Sequence, residues 1–137
     1  MADAKDLKSA PFMTEFGAEG DNRSATESLD WILKEADNSF VSWAYWQFKP
    51  FHDITTASND IEGFYFKDGS LQSDKVDALS RVYAQAIAGT PKKMHYEHKT
   101  KVFQLEYTTT KALTGQSTEI FVGPYHSSSF KVEAKPE

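Results

Sequence analysis

Two short apolar segments, separated by a helical one, constrain the fold of this 137-residue chain more than any other feature. Residues 11–17 (PFMTEFG) form the first segment, and residues 40–48 (FVSWAYWQF) form the second. Both are typical of strands that are buried on both faces of a parallel sheet. Between them, a capping-box sequence at residues 24–27 precedes apolar residues at helical spacing: Leu29, Ile32, Leu33 and Ala36. Strand, helix (about 25–37) and strand together predict a parallel βαβ unit.

A second helical pattern follows a long polar loop at residues 49–72. Ser73 is predicted to cap this helix, Gly89 to end it and Pro91 to prevent its continuation. Its apolar positions fall on one helical face: Val76, Leu79, Val82, Tyr83, Ala86 and Ile87.

The periodicity changes from helical to strand-like near residue 90. Three later segments alternate or are rich in β-branched residues, with glycines between them, as in antiparallel sheets: 101–109, 118–122 and 130–133. We therefore predict a domain boundary there, with an α/β part at residues 1–90 and an antiparallel all-β part at residues 91–137.

Composition excludes several classes of function. The formal net charge is −5 and there is no basic block, so a nucleic-acid partner is not expected. There is no cysteine, which excludes disulfides and thiolate chemistry. No apolar run reaches the length of about 18 residues that a transmembrane segment needs. The first residues, MADAKDLKSAPF, contain no signal peptide.

Glu15 is the first candidate for chemistry, because it lies at the carboxyl end of an apolar strand, directly before Phe16 and Gly17. In parallel α/β barrels, catalytic side chains project from that end of the strands. A glutamate in this position is also consistent with a structural ion pair or with simple solvent exposure. The position alone leaves these alternatives open.

Three aromatic residues of the second strand are candidates for sugar contacts, because a flat ring suits the apolar face of a pyranose. Strand alternation places Trp43 and Tyr45 on one face, where core packing is the preferred interpretation. Trp46 lies on the other face and nearest the carboxyl end, so it is the better ligand candidate.

Other polar residues give weaker signals. The pair His52 and Asp53 follows the second strand and is a candidate substrate contact, although a local structural hydrogen bond explains it equally well. His95 and His98 flank Glu97, but no third ligand follows at metal-site spacing, so we predict no metal site. The phosphate-binding, dinucleotide-binding and serine-hydrolase motifs are all missing from the sequence.

Taken in order, these motifs resemble glycoside hydrolase family 5, and the endoglycoceramidases in particular. PFMTEFGA is similar to the seventh barrel strand of the family, in which the glutamate is the nucleophile. SWAYWQFK is similar to the eighth strand, whose tryptophan forms the floor of the sugar subsite. That tryptophan corresponds to Trp46. HDIT, EGFY and QAIAGTP match the end of the barrel, and KVFQLEYTT with TEIFV matches the opening of the following β-sandwich. The resemblance runs from about residue 10 to about residue 122.

The resemblance implies the C-terminal portion of a (β/α)8 barrel, with strand 7, helix 7, strand 8 and helix 8, followed by an antiparallel β-sandwich segment. It implies a retaining glycosidase that needs no cofactor and whose substrate is a glycolipid or oligosaccharide. Glu15 would be the nucleophile and Trp46 a substrate-binding residue. The parent enzyme is expected to be secreted or lysosomal.

The chain also departs from the family. A full barrel needs about 250 residues. The acid/base glutamate of the family follows an asparagine on strand 4, and no Asn-Glu pair occurs here. We therefore expect a fragment that is inactive alone. Two alternatives stay open at this point: a non-catalytic carbohydrate- or glycolipid-binding remnant, and a structural piece in which Glu15 is merely a paired carboxylate.

Overall fold

The computed structural model describes residues 6–17, 19–49, 51, 61–124, 126 and 130–135. Two helices and six strands follow one another, together with a short 3-10 turn at Lys111–Leu113. Their order along the chain is β1 (Phe12–Gly17), α1 (Arg23–Asn38), β2 (Ser42–Trp46), α2 (Ser73–Leu79), β3 (Tyr83–Ala86), β4 (Gly89–Glu97), β5 (Val102–Thr109) and β6 (Glu119–Phe121).

The predicted βαβ unit is confirmed, because β1 and β2 pair in parallel and α1 connects them. The helix begins two residues earlier than the capping box indicated. The side chain of Asn22 accepts a hydrogen bond from the Ala25 amide at 3.1 Å, so Asn22, and not Ser24, is the N-cap.

The prediction that β2 is buried on both faces is wrong for this chain. Trp43 and Tyr45 are half-buried, and the Phe16 ring packs edge-on against both at centroid distances of 5.6 and 5.4 Å. Ser42, Ala44 and Trp46, on the opposite face, are exposed. The two-stranded sheet of the described ranges is therefore partly covered on one face and open on the other.

The second predicted helix is much shorter than its apolar pattern indicated. α2 ends at Leu79, where the Ser80 amide bonds back to the carbonyls of Val76 and Asp77 and the Ser80 backbone leaves the helical conformation. The segment predicted as its last turns is instead β3, which pairs antiparallel with β6. The Tyr83 ring stacks on Phe121 of β6 at 5.0 Å, a long-range contact that a helix would not allow.

Pro91, predicted to follow a helix, lies within strand β4. Its position is tolerated because β4 pairs with β5 alone and the ladder shifts register between Pro91 and Lys93, so a missing amide costs little there. The antiparallel pairing of residues 102–109 agrees with the predicted strand at 101–109. Residues 130–133 form no strand, contrary to prediction.

The core lies between the two helices and β4, where the fully or nearly fully buried apolar residues are Ala25, Leu29, Leu33, Ala36, Ala78, Val82 and Tyr96. Neither helix of the described segments has the length and apolar character to cross a membrane.

A buried arginine joins the α/β part to the antiparallel part. Arg81 lies between α2 and β3 and its side chain is only 2% exposed. Its guanidinium contacts Asp30 at 3.2 Å and Asp37 at 2.8 Å, both on α1, and donates to the Tyr96 carbonyl of β4 at 3.0 Å. It also lies over the Tyr96 ring at 4.9 Å. One side chain therefore holds α1 and β4 together.

A more exposed ionic cluster links the same parts. Lys34 of α1 contacts Glu97 of β4 at 3.2 Å. Asp77 of α2 contacts both His98 and Lys101 of the β4–β5 turn at 2.8 Å. Burial raises the pKa of Asp77, but the hydrogen bonds from Lys101 and His98 outweigh burial and hold that pKa below its ordinary value.

We expect Arg81→Met to lower the free energy of unfolding by about 3–5 kcal/mol, because it leaves the buried Asp37 carboxylate without a cation. Urea titration measures this loss. Arg23→Met is the matched control: its ion pair with Glu27 is exposed, and its removal should cost at most about 1 kcal/mol. Equal losses in the two variants would contradict a dominant role for Arg81.

Asp77→Asn should make the free energy of unfolding fall less steeply as the pH is lowered. The folded pKa of Asp77 is lowered, so its contribution is complete above the ordinary aspartate range and is lost as the pH falls toward the folded pKa. Wild-type stability should therefore drop more steeply than that of the variant between about pH 5 and pH 3. Asp74→Asn, at an exposed position of the same helix, should keep the wild-type slope.

Candidate functional site

The candidate site lies at the carboxyl ends of β1 and β2. Glu15 and Trp46 are both exposed there, on neighbouring parallel strands. Trp46 is 40% exposed. The structure thus places the two residues predicted from sequence at the same end of the same sheet.

Glu15 lies in a β-bulge. Met13 pairs with Trp43 and Phe16 pairs with Tyr45, so Thr14 and Glu15 together oppose the single residue Ala44. Both bulge residues are exposed, while Met13 and Phe16 on either side are half-buried. The extra residue turns the glutamate away from the covered face. A regular strand would have given adjacent residues opposite faces.

Gly17 is required by the close approach of the two strand ends. It pairs with Trp46, and a Cβ at Gly17 would overlap the Trp46 carbonyl oxygen. The glycine that follows Glu15 in the sequence therefore fixes the distance between the strand that carries the carboxylate and the strand that carries the indole.

Gln47, the residue after Trp46, is buried, and its main chain and its side chain are both hydrogen-bonded. The peptide bond between Trp46 and Gln47 is cis, and Gln47 is 4% exposed. Its amide donates to the Glu62 carbonyl at 2.8 Å, and its Nε2 donates to the Glu62 Oε2 at 3.0 Å. We call Gln47 and Glu62 the strand-end clamp.

The segment that contains Glu62 is itself anchored by α2. Lys75 is completely buried, and its Nζ donates to the carbonyls of Ile61 and Gly63 at 2.9 Å each. Gln72 donates to the carbonyls of Gly63 and Tyr65 at 3.1 and 3.2 Å. The loop at residues 61–65 is therefore fixed against the start of α2 by side-chain donors that are out of contact with bulk water.

An aromatic cluster extends from β2 into this loop. The Phe64 ring stacks on Tyr45 at 5.5 Å and meets Phe48 edge-on at 5.9 Å, and Phe48 in turn contacts Tyr65 at 5.6 Å. Burial raises the pKa of the Tyr45 phenol to about 12, so Tyr45 is neutral at physiological pH. Phe48, two residues after Trp46 in the chain, remains 56% exposed and adds apolar surface at this end of the sheet.

Of the weaker predicted candidates, the histidines near residue 97 do not join this site. His52 and Asp53 lie outside the described residues, so their prediction stays untested. His95 and Glu97 are on β4, and His98 bonds to Asp77 at 2.8 Å in the ionic cluster between α2 and the β4–β5 turn. Within the described ranges, no three His, Asp or Glu side chains are grouped as metal ligands.

Sequence reasoning missed Gln47, Glu62 and Lys75. A signal for Gln47 existed, since it is a polar residue at the end of an otherwise apolar run. Glu62 and Lys75 gave none, because a lone glutamate in a loop or a lysine in a short helix is usually solvated. Only the tertiary structure identifies them as parts of one hydrogen-bonded support.

Comparison with known families identifies the antiparallel part. Residues 81–137 match the family model of the glycoside hydrolase family 5 C-terminal domain, and the match begins at Arg81, just before β3. The second part of the chain is thus matched by the C-terminal domain of glycoside hydrolase family 5. The family resemblance drawn from the motifs is confirmed.

Within the family, the chain is similar to endoglycoceramidases. An endoglycoceramidase of Hydra vulgaris is 27% identical over 139 residues, which is 99% of this chain and 26% of the relative. Endoglycoceramidase I of Rhodococcus hoagii is 32% identical over 114 residues, 83% of this chain and 19% of the relative. The chain therefore spans about a quarter or less of the length of these relatives.

Solved structures of endo-glycoceramidase II from Rhodococcus sp. have the same fold over most of the chain. Its complex with a cellobiose-like imidazole gives a TM-score of 0.63 at 21% identity, over 88% of this chain and 25% of that one. Its ganglioside GM3 complex gives 0.61 at 20% identity, over 87% and 24%. The likeness establishes that the two helices and the strand pairs are arranged as in part of that protein.

Gly17→Ala should destabilise the chain by about 1–3 kcal/mol, because the new methyl group collides with the Trp46 backbone, which has no free rotation to relieve it. Thermal unfolding measures the effect. Gly20→Ala is the control, since its new methyl group would meet no backbone atom and only the Asn22 Nδ2 at 3.1 Å, so its cost should not exceed a weakened Asn22 N-cap. A Gly17→Ala variant as stable as Gly20→Ala would show that the two strand ends are not held this closely.

Proposed function

We propose that these residues form part of the active site of a retaining β-glycosidase that acts on glycolipids, with Glu15 as its nucleophile. The single observation that carries the proposal is the exposed, bulged Glu15 beside Trp46 at the carboxyl ends of two parallel strands. Catalytic side chains of α/β barrels are found at this end of the strands.

The parallel pair supports the assignment of β1 and β2 as the seventh and eighth strands of a (β/α)8 barrel, with α1 as the intervening helix. Within the described ranges, the outer edges of β1 and β2 are unpaired, and neighbouring barrel strands would pair with them. The exposed face of β2 would then be turned to the barrel interior. In this arrangement α2 is the helix after strand 8, and the antiparallel part follows it. Six further strands would come from the remainder of a longer protein.

In the proposed reaction the Glu15 carboxylate attacks the anomeric carbon and forms a covalent glycosyl ester. A second carboxylic acid protonates the departing glycosidic oxygen and then takes a proton from the water that hydrolyses the ester. In retaining enzymes the two carboxyl groups are about 5–5.5 Å apart. We assign the second group to a residue outside this chain, because the family's Asn-Glu pair does not occur in it.

Trp46 suits the role of a sugar platform. Its indole is partly exposed and lies on the strand adjacent to that of Glu15. An indole ring packs against the apolar face of a pyranose, and its N–H donates to a hydroxyl. Stacking on Trp46 would hold the ring while its C1 faces the carboxylate.

The proposed substrate class follows from the relatives and from the local surface. The relatives are named endoglycoceramidases, and one of the matched solved proteins binds ganglioside GM3. Phe48, two residues after Trp46 and 56% exposed, adds apolar surface of the kind that a lipid aglycone would contact. A glycolipid combines both requirements, a pyranose for the indole and an apolar chain.

The test is covalent trapping in the longest natural protein that contains these residues. A β-glycoside with fluorine at C2 and a good leaving group should form a stable ester, and peptide mass spectrometry should find that ester on Glu15. Glu15→Gln should lower kcat on a natural β-glycoside by about a thousandfold or more, because no nucleophile remains.

The matched control is Glu35→Gln, which removes an exposed carboxylate from α1 and should leave kcat within about twofold, as an interaction absent from the transition state contributes nothing to it. A label on another residue, or full activity in the Glu15→Gln variant, would reject the nucleophile assignment. Binding of glycolipid without any turnover would favour the non-catalytic alternative.

A further inference from the structure

We infer that the strand-end clamp, Gln47 and Glu62, is a positioning device for the Trp46 indole and thereby sets the affinity of the site for its sugar. The inference rests on the proposed function of Trp46 as a sugar platform and names the residues that hold it in place. Neither residue of the clamp is assigned to contact the substrate.

The Trp46 indole is partly covered but is not packed against another ring of the described residues. Trp43 and Tyr45, by contrast, both pack against Phe16. The course of its backbone is therefore a main determinant of how the Trp46 ring is oriented. On one side that backbone is limited by the close approach of Gly17, and on the other it continues into Gln47.

Gln47 is held in place by two hydrogen bonds to a single residue. Its main-chain amide and its side-chain amide both donate to the same residue, Glu62, at 2.8 and 3.0 Å. Two bonds between two residues define both position and rotation, which a single bond does not. Gln47 is 4% exposed, so water does not replace these bonds readily if they are lost.

The loop segment around Glu62, the other residue of the clamp, is also fixed by hydrogen bonds. The neighbours of Glu62, Ile61 and Gly63, give their carbonyls to the buried Lys75 ammonium at 2.9 Å each. Phe64 donates its amide to the Phe48 carbonyl at 3.0 Å, which closes the loop against the strand end a second time. Helix α2 thus supports the loop, the loop holds Gln47, and Gln47 fixes the backbone of Trp46.

A fixed platform binds a sugar without first losing the freedom of a mobile ring, so releasing the clamp should weaken binding more than chemistry. This separates the clamp from a residue that is merely structural. A structural defect lowers the amount of folded protein and leaves the KM of the folded fraction unchanged. Loss of positioning raises KM in protein that remains folded.

The experiment compares Glu62→Met, which keeps the side-chain length but removes the acceptor, with Glu62→Gln, which keeps an acceptor oxygen. In the longest natural protein containing these residues, Glu62→Met should raise KM for a β-glycoside about tenfold with a much smaller change in kcat. Glu62→Gln should recover most of the wild-type KM. Thermal unfolding confirms that both variants are folded.

A double-mutant cycle then tests whether the clamp acts through the indole. In a Trp46→Ala background, Glu62→Met should raise KM no further, because the group that the clamp positions is gone. An equal rise in KM in both backgrounds would overturn the inference, since Glu62 would then act on the substrate by another route.

A measurement that does not depend on catalytic turnover tests this inference separately from the glycosidase proposal. With 5-fluorotryptophan in this chain, the ¹⁹F signal of Trp46, assigned with a Trp46→Phe variant, should broaden or split in Glu62→Met and remain single in Glu62→Gln. The signal of Trp31, 67% exposed on α1, is the internal control and should not change. An unchanged Trp46 signal in Glu62→Met would reject the positioning role, whether or not the longer protein is a glycosidase.

Discussion

The arrangement of the chain depends on the charge of Arg81 in a nearly water-free position between α1 and β4. A buried guanidinium is tolerated only when carboxylates and carbonyls surround it, and here Asp30, Asp37 and the Tyr96 carbonyl do so within 3.2 Å. These partners come from both parts of the chain. The ion network therefore fixes how the antiparallel part lies against the helices, and through α2 it stabilises the support of the loop at residues 61–65.

The site combines a rigid base with two local irregularities. The bulge at Thr14 and Glu15 exposes a carboxylate that regular alternation would not, and Gly17 allows the two strand ends to approach closely. These two features explain the short sequence motif TEFG. The glutamate reaches the open face because of the bulge, and only glycine, which has no side chain, fits against the Trp46 carbonyl.

The sequence predicted the βαβ unit well and the second helix poorly, for one physical reason. Apolar residues of α1 recur at helical spacing over about three turns, a period that does not fit a strand, so the pattern predicts a helix. From residue 82 onward, Val82, Tyr83 and Ile87 fit a helical face but are equally suited to a strand. Pairing of β3 with β6, more than thirty residues away, decided between them, and local spacing contains no information on such a partner.

The sequence by itself determined which residues are candidates for chemistry and in what order they occur, because strand propensity, helical period and the family motifs are local properties. It was sufficient to single out Glu15 and Trp46 and to expect them on neighbouring parallel strands. The tertiary structure alone decided which groups support them. Hydrogen bonds join Gln47 to Glu62, and Lys75 to the two neighbours of Glu62, between residues 12 to 15 positions apart. Contacts of that range depend on how the whole chain packs.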